Sequence, residues 1–227
     1  MSGFEHINRG GTRAFGEWDE NKHKRDKGKF APKEGAGASE EEAKPWSDAA
    51  DSFVEEIKGL DTEKGLLLSG TNGRVLSQGD GDDKSVSKGI EHLGNDAALL
   101  LRGAVSIHNH PHKGTADDEL GLAFSLQDVL EAQRWGFHET QVVSGNTVYT
   151  LTAGGRGGTL WPNRKALKEQ WSTSLALAKK KVQPLLDSGE IDEKKAMSLV
   201  AIDTWSDVAE KAGLKFKHRP ITPKGSE

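Results

Sequence analysis

Two histidines, His108 and His110, stand close together in the chain, and Pro111 follows them directly. Within 104–110, apolar residues alternate with polar ones, which predicts a buried β-strand. Because side chains two residues apart share a strand face, both imidazoles can reach one ion. Pro111 cannot donate a hydrogen bond to a sheet, so the chain is predicted to turn away there. The pattern favours a metal site over two unrelated surface histidines, since histidine is the commonest metal ligand in proteins.

A carboxylate that could complete this site follows at Asp128. A helix is predicted to begin at Ser125 and to end at Gly136, where glycine favours a helix C-terminus. If its first turn packs against the end of the histidine strand, Asp128 becomes a third ligand, and the positive end of the helix dipole favours its charge. The same Ser-x-x-Asp spacing fits a capping box, in which both side chains bind backbone N–H groups at the helix start. Both interpretations stay open at this point.

The chemistry open to these residues is that of a transition metal. The chain has no cysteine, so the ligands must come from histidine, aspartate or glutamate. A catalytic zinc ion takes about three protein ligands and keeps one position open for a water molecule, which it acidifies. His108, His110 and Asp128 form a compatible set, and we predict Zn²⁺ as the cofactor.

The motif His-x-His-Pro, followed by Ser-x-x-Asp and preceded by a glutamate beside an early strand, resembles the signature of the JAB/JAMM (MPN-plus) metallopeptidase family. His-Asn-His-Pro in particular resembles its RadC-like branch. The segment 63–68 resembles the early strand of the family, and 136–151 resembles its closing hairpin, so that the likeness covers nearly half of the chain. The resemblance implies an α/β fold with a mixed sheet flanked by helices.

The resemblance also implies a role for each residue of the motif. His108, His110 and Asp128 would hold zinc, with water in the fourth place, and Ser125 would help to hold the oxyanion of the transition state. Glu63 would be the general base that takes a proton from the water and returns it to the leaving amine. The protein would then be a zinc-dependent metallopeptidase or isopeptidase that hydrolyses an amide bond in a protein or peptide substrate.

One departure from the family pattern concerns the segment 112–124. These thirteen residues between Pro111 and Ser125 make the gap longer than is usual in the family, which leaves the alignment of Ser125 and Asp128 open. The rival ligands are His112, Asp117, Asp118 and Glu119, and the rival bases to Glu63 are Glu55, Glu56 and Glu91.

Further elements are predicted around the motif from hydrophobic spacing and turn residues. Helices are predicted from Ser47 to Gly59 and over 85–101, and antiparallel hairpins about Asn72-Gly73 and Gly145-Asn146. The predicted inward positions are Ala50, Phe53, Val54 and Ile57 in the first helix and Leu93, Ala97, Leu100 and Leu101 in the second.

The chain is predicted to have three parts. Residues 1–45 are polar, charged and rich in glycine, which predicts a disordered tail, and 46–155 form the JAB/JAMM-like domain. Residues 156–227 are predicted to form a helical hairpin extension. Short phrases in the tail and in the extension resemble segments of phage-encoded proteins, which makes a phage capsid or a host protein a candidate partner.

Composition narrows the possible partners. A net charge of −4 supplies no general attraction to nucleic acid, whose binding depends on clustered lysine and arginine. No apolar run approaches the roughly 18 residues of a membrane helix, and the polar N-terminus lacks the apolar segment of a signal peptide. We therefore expect a cytoplasmic protein with no membrane or nucleic-acid partner.

Two other functions compete with hydrolysis. One is a non-catalytic JAB-like module that binds a partner in phage assembly or at a host protein, and it predicts the same fold without a metal. The other is a metal-dependent nuclease, because His-Asn-His superficially resembles nucleases of that name. Those enzymes use a hairpin-and-helix site rather than a strand followed by Ser-x-x-Asp, so the nuclease is the less favoured of the two.

Overall fold

The computed structural model describes residues 44–81, 90–111, 123–155, 158 and 160–221. The described residues belong to one compact unit. The described helices are α1 (Ser47–Ile57), α2 (Ala97–Leu101), α3 (Leu126–Trp135), α4 (Arg164–Asp187) and α5 (Glu193–Ala212). The described strands are β1 (Lys64–Leu68), β2 (Val75–Asp80), β3 (Val105–Asn109), β4 (Glu139–Ser144), β5 (Thr147–Thr152) and β6 (Lys215–Pro220).

The strands form one six-stranded mixed sheet in the order β2-β1-β3-β4-β5-β6. β3 and β4 are parallel, and every other neighbouring pair is antiparallel. α3 connects the two parallel strands, as a crossover between parallel strands requires. The carboxyl ends of β3 and β4 therefore lie at the same edge of the sheet, where α3 begins. The predicted α/β class with a mixed sheet flanked by helices is confirmed.

Helices cover both faces of the sheet. α1 packs Phe53, Val54 and Ile57 against one face, where they meet apolar side chains that include Ile107. α3 and the hairpin of α4 and α5 pack against the other face, over residues that include Val142. Every residue of β3 is consequently buried. Successive side chains of β3 point to opposite faces of the sheet, and both of these faces are buried, so neither set of side chains faces solvent.

The predicted turn and cap residues explain where several elements begin and end. Gly145 has a φ of 56° at the first position of the two-residue turn between β4 and β5, a conformation that glycine adopts without strain. α3 has Ser125 as its N-cap and Gly136, in the left-handed conformation, as its C-cap. α1 begins at Ser47 itself, with Trp46 in the N-cap position, so the predicted cap is displaced by one residue.

The second predicted helix is wrong as a continuous element. Of its described part, Ile90–Asp96 is a 3-10 segment broken at Gly94, whose φ and ψ of 60° and −144° lie outside the helical region. The α-helix begins only at Ala97. Ala97 and Leu101 are buried as predicted, but the inward position predicted for Leu100 is wrong, since its side chain is 41% exposed.

β6 follows α5 and pairs with β5, and no pattern in the sequence predicted it. This strand returns the chain to the sheet beyond the predicted helical hairpin. The two helices themselves are confirmed, and Leu167 and Trp205 share one apolar core with α3 and the sheet. Lys44, which was predicted to belong to the tail, already forms an ion pair with the buried Glu139 at 2.8 Å.

Several predictions lie outside the described residues. They are the disorder predicted for 1–43, the helix predicted over 85–89, and the rival ligands His112, Asp117, Asp118 and Glu119. The side chain of Glu91 is also not described. Within the described part of the chain, no helix is long and apolar enough to cross a membrane.

The contact between Trp205 and Phe124 ties the C-terminal helices to the segment that leads into α3. Trp205 is fully buried, and its indole N–H donates to the carbonyl oxygen of Phe124 at 2.8 Å. We expect Trp205→Ala to lower the free energy of unfolding by about 3–5 kcal/mol, since it leaves a large cavity and an unpaired carbonyl group. Urea denaturation measures this loss. Leu177→Ala, at an exposed position of α4, is the control and should change stability by less than about 0.5 kcal/mol. Equal stability of the two variants would contradict a core shared between α5 and the sheet.

Candidate metal centre

His108 and His110 lie at the carboxyl end of β3 with their rings together. His108 is the penultimate residue of the strand, and His110 follows the strand with its backbone N–H donating to Val143 at 2.9 Å. The two Nε2 atoms are 3.1 Å apart. The predicted sharing of one strand face is confirmed.

Asp128 reaches these imidazoles from the first turn of α3. One carboxylate oxygen lies 3.2 Å from Nε2 of His108, and the other lies 3.5 Å from Nε2 of His110. The long gap over 112–124 therefore does not displace Asp128 from the site. His108, His110 and Asp128 are the one group that could hold a metal ion among the described histidine and acidic residues.

The capping box at the start of α3 places this carboxylate. The Ser125 N–H donates to Asp128 Oδ2 at 2.8 Å, while the Asp128 N–H donates to Ser125 Oγ at 3.1 Å. The capping-box interpretation of Ser-x-x-Asp is confirmed, and the carboxylate that caps the helix also faces the imidazoles, where it could serve as a metal ligand. The cap restricts the Asp128 side chain to one orientation.

The spacing of the ligand atoms fits a tetrahedral ion. Ligands about 2.0–2.1 Å from zinc in a tetrahedron lie about 3.3 Å from one another. The 3.1 Å between the two Nε2 atoms and the 3.2 Å between His108 Nε2 and Asp128 Oδ1 are close to that value, and the 3.5 Å from His110 Nε2 is measured to the other carboxylate oxygen, Oδ2. Three electron-pair donors directed at one point also repel each other unless a proton or a cation lies between them. The donor set and its geometry thus fit a divalent metal.

The electrostatics of the group keep its acid ionised. Burial would by itself raise the pKa of Asp128, but the imidazoles of His108 and His110 outweigh burial and hold this pKa well below its usual value. A metal ligand must be deprotonated, and at neutral pH this carboxyl group is. His110 and Asp128 keep side-chain exposures of 13% and 16%, so solvent reaches the group from their side.

Glu63 lies immediately before β1. β1 pairs with β3, and the paired residues end with Gly65 opposite His108, so Glu63 follows two residues beyond this pair on the side of His110. The alternation of side chains puts Glu63 on the sheet face of both histidines. Glu63 is buried, and its carbonyl oxygen accepts a hydrogen bond from the Gly81 N–H at 2.8 Å.

The rival acids in α1 lie elsewhere. α1 covers the sheet face opposite the histidines, Glu55 is paired with Lys58 at 2.6 Å, and Glu56 lies 3.3 Å from Lys64. Ser125 stands at the helix start beside the metal group, where its hydroxyl oxygen already accepts the capping hydrogen bond.

Two residues near the group were missed in the sequence analysis. Ser144 is buried at the end of β4, and the pairing of Asn109 with Val143 places Ser144 next to His110. Asn109 is buried between the two histidines in the chain. Its position between the two histidines of the motif was the feature of the sequence that could have identified it. Strand alternation, however, directs its side chain to the other face of the sheet, away from the candidate ligands.

Comparison with protein-family models, curated proteins and solved structures finds no match for this chain. The class that the structure defines is therefore an α/β protein with a candidate metal centre at the carboxyl edge of its sheet. The resemblance to the JAB/JAMM family rests on the motif residues and is carried forward as a proposal.

Proposed function

We propose that this chain is a zinc-dependent amide hydrolase of the JAB/JAMM metallopeptidase type, acting on a protein or peptide substrate. The observation that carries the proposal is the convergence of His108, His110 and Asp128, whose facing nitrogen and oxygen atoms lie 3.1–3.5 Å apart. The buried acid Glu63 precedes β1, the strand that pairs with the histidine strand. Three ligands with an open side are what a catalytic site keeps, whereas a structural zinc site is closed by four protein ligands.

The choice of zinc follows from the donors. Two imidazole nitrogens and one carboxylate suit zinc better than magnesium or calcium, which prefer sets made of oxygen atoms. When bound, zinc supplies a Lewis acid that lowers the pKa of water and polarises a substrate carbonyl group.

The residues of the chain have separate tasks in such a reaction. Glu63 accepts a proton from the attacking water and delivers it to the nitrogen of the leaving amine, so the same carboxylate is base and then acid. Ser125 donates its hydroxyl proton towards the oxyanion that forms as the carbonyl group becomes tetrahedral. Asp128 would supply its carboxylate as the third ligand, in the orientation that the capping box gives it.

Removal of the metal tests the proposal directly. The full-length protein is dialysed against a chelator and then incubated with a proteome-derived peptide library, and new amino termini are counted by mass spectrometry. We expect cleavage by the zinc-loaded protein, none after chelation, recovery on adding one equivalent of zinc, and no recovery with magnesium. Cleavage that continues unchanged in metal-free protein would show that the hydrolysis does not need the centre. Zinc-loaded protein that cuts nothing in the library would contradict the proposed hydrolysis, and a folded protein that takes up no zinc would favour the non-catalytic binding module instead.

A further inference from the structure

Asn109 is a buried polar residue placed between two metal-ligand candidates. Its exposed fraction is 2%, so its carboxamide must find hydrogen-bonding partners inside the protein. It belongs to β3, and strand alternation separates its side chain from those of His108 and His110. The metal centre therefore does not account for it.

The partners of Asn109 lie on the chain segment that leads into β1. Its Nδ2 donates to the carbonyl oxygen of Thr62 at 3.0 Å, and its Oδ1 accepts the backbone N–H of Lys64 at 2.7 Å. We call these two hydrogen bonds the Asn109 bridge. The residue between its two ends is Glu63.

The bridge acts where the backbone pairing of the two strands stops. The paired residues of β1 and β3 end at Gly65 opposite His108. One residue further, the carboxamide of Asn109 supplies to Lys64 the acceptor that a neighbouring strand would otherwise provide. On the other side of the segment, Gly81 donates to Glu63 at 2.8 Å. The backbone of residues 62–64 is therefore held from two strands.

We infer that Asn109 is a positioning residue, whose carboxamide holds Glu63 at the start of β1 by binding the backbone on both sides of it. This inference rests on the proposed role of Glu63 as general base. A base must stay within hydrogen-bonding reach of the proton that it removes, and a displacement of about 1 Å can cost about a hundredfold in rate. The bridge holds the backbone of Glu63 without occupying its carboxylate.

The first test compares Asn109→Ala with Asn72→Ala in the full-length, zinc-loaded protein. Asn72 makes a similar contact, since its Oδ1 accepts the Arg74 N–H at 3.1 Å, but it lies in the exposed turn between β1 and β2. For Asn109→Ala we expect one zinc per chain, a kcat on the best-cleaved library peptide that is lower by about 10- to 100-fold, and little change in KM. Asn72→Ala should match the wild type. An unchanged kcat in Asn109→Ala would overturn the inference while leaving the proposed function intact.

A double-mutant cycle separates positioning from general destabilisation. If Asn109 acts through Glu63, adding Asn109→Ala to Glu63→Gln should lower kcat no further. Effects that multiply in the double variant would show that Asn109 acts independently of Glu63 and would overturn the inference. If Asn109→Ala does not fold, Asn109→Asp replaces it in the cycle, because it keeps the acceptor for Lys64 and replaces the donor for Thr62 by a carboxylate oxygen, which repels the Thr62 carbonyl group.

The bridge can also be measured without a substrate. Backbone amide exchange followed by NMR should show Lys64 protected in the wild type and unprotected in Asn109→Ala, with shifted Glu63 resonances. Unchanged Lys64 exchange and Glu63 shifts would overturn the inference even if the protein cleaved no peptide. A protein that cleaved no peptide would contradict the proposed hydrolysis, whatever the NMR result.

Discussion

Replacing His108 by alanine will abolish both stoichiometric zinc binding and hydrolysis. His108 is almost fully buried and contributes one of the three converging ligand atoms, and no other described histidine or acid belongs to the group. Structural sites with four ligands bind zinc with about 10–16 kcal/mol, or roughly 3 kcal/mol for each ligand, so one lost ligand weakens binding by about a hundredfold or more. Metal analysis after gel filtration and the peptide-library assay measure the two losses.

The matched control for this variant is His218→Ala. His218 lies on the exposed edge strand β6 and is not part of the metal group, so the control should keep one zinc per chain and the wild-type rate. Zinc bound at the wild-type stoichiometry and affinity by a His108→Ala/His110→Ala double variant would refute the assignment of the centre. Loss of structure is monitored by circular dichroism, since removal of a buried side chain also costs stability.

Glu63→Gln is expected to retain zinc and the native fold but to lower kcat by about 10²- to 10⁴-fold, the usual contribution of general acid–base catalysis. The amide keeps the shape of the side chain but cannot accept the proton from water at neutral pH. Glu63 is not one of the three converging ligands, so the metal content should not change. Metal analysis and steady-state kinetics on the same preparation measure both properties.

Glu55→Gln and Glu56→Gln are the controls for this prediction. Both residues were rival bases on sequence grounds, and both belong to α1, which covers the other face of the sheet. Neither substitution should change kcat by more than about twofold, since surface substitutions away from a site change little. A large loss in either variant, with Glu63→Gln fully active, would move the general base away from the strand edge.

Patterns among residues that are near one another in the chain were sufficient to predict each part of the candidate site by itself. Alternation in a strand places His108 and His110 on one face, and this depends only on residues that are neighbours in the chain. The cap formed by Ser125 and Asp128 is also local, because its two hydrogen bonds join residues three positions apart. These parts were therefore predictable from the residues and are confirmed.

Predictions from the spacing of apolar residues were wrong where contacts in the folded protein decide the secondary structure. The apolar residues of 90–101 have helical spacing, but Gly94 interrupts the helix with a conformation that the spacing does not reveal. β6 is short and mostly charged or exposed, so no hydrophobic pattern marks it, and it becomes a strand because β5 offers an edge with which it can pair.

The convergence of the parts depends on contacts between residues far apart in the chain. Asp128 reaches His108 only because α3 crosses between two parallel strands whose ends lie at one edge. Glu63 is brought to the histidine strand only by the pairing of β1 with β3, in which Gly65 lies opposite His108. The Asn109 bridge spans more than forty residues in the same way. Residue type and short-range spacing thus establish which groups can do chemistry. Strand order and register establish which of them meet, because such pairings are selected by the burial of the whole core and not by any one segment.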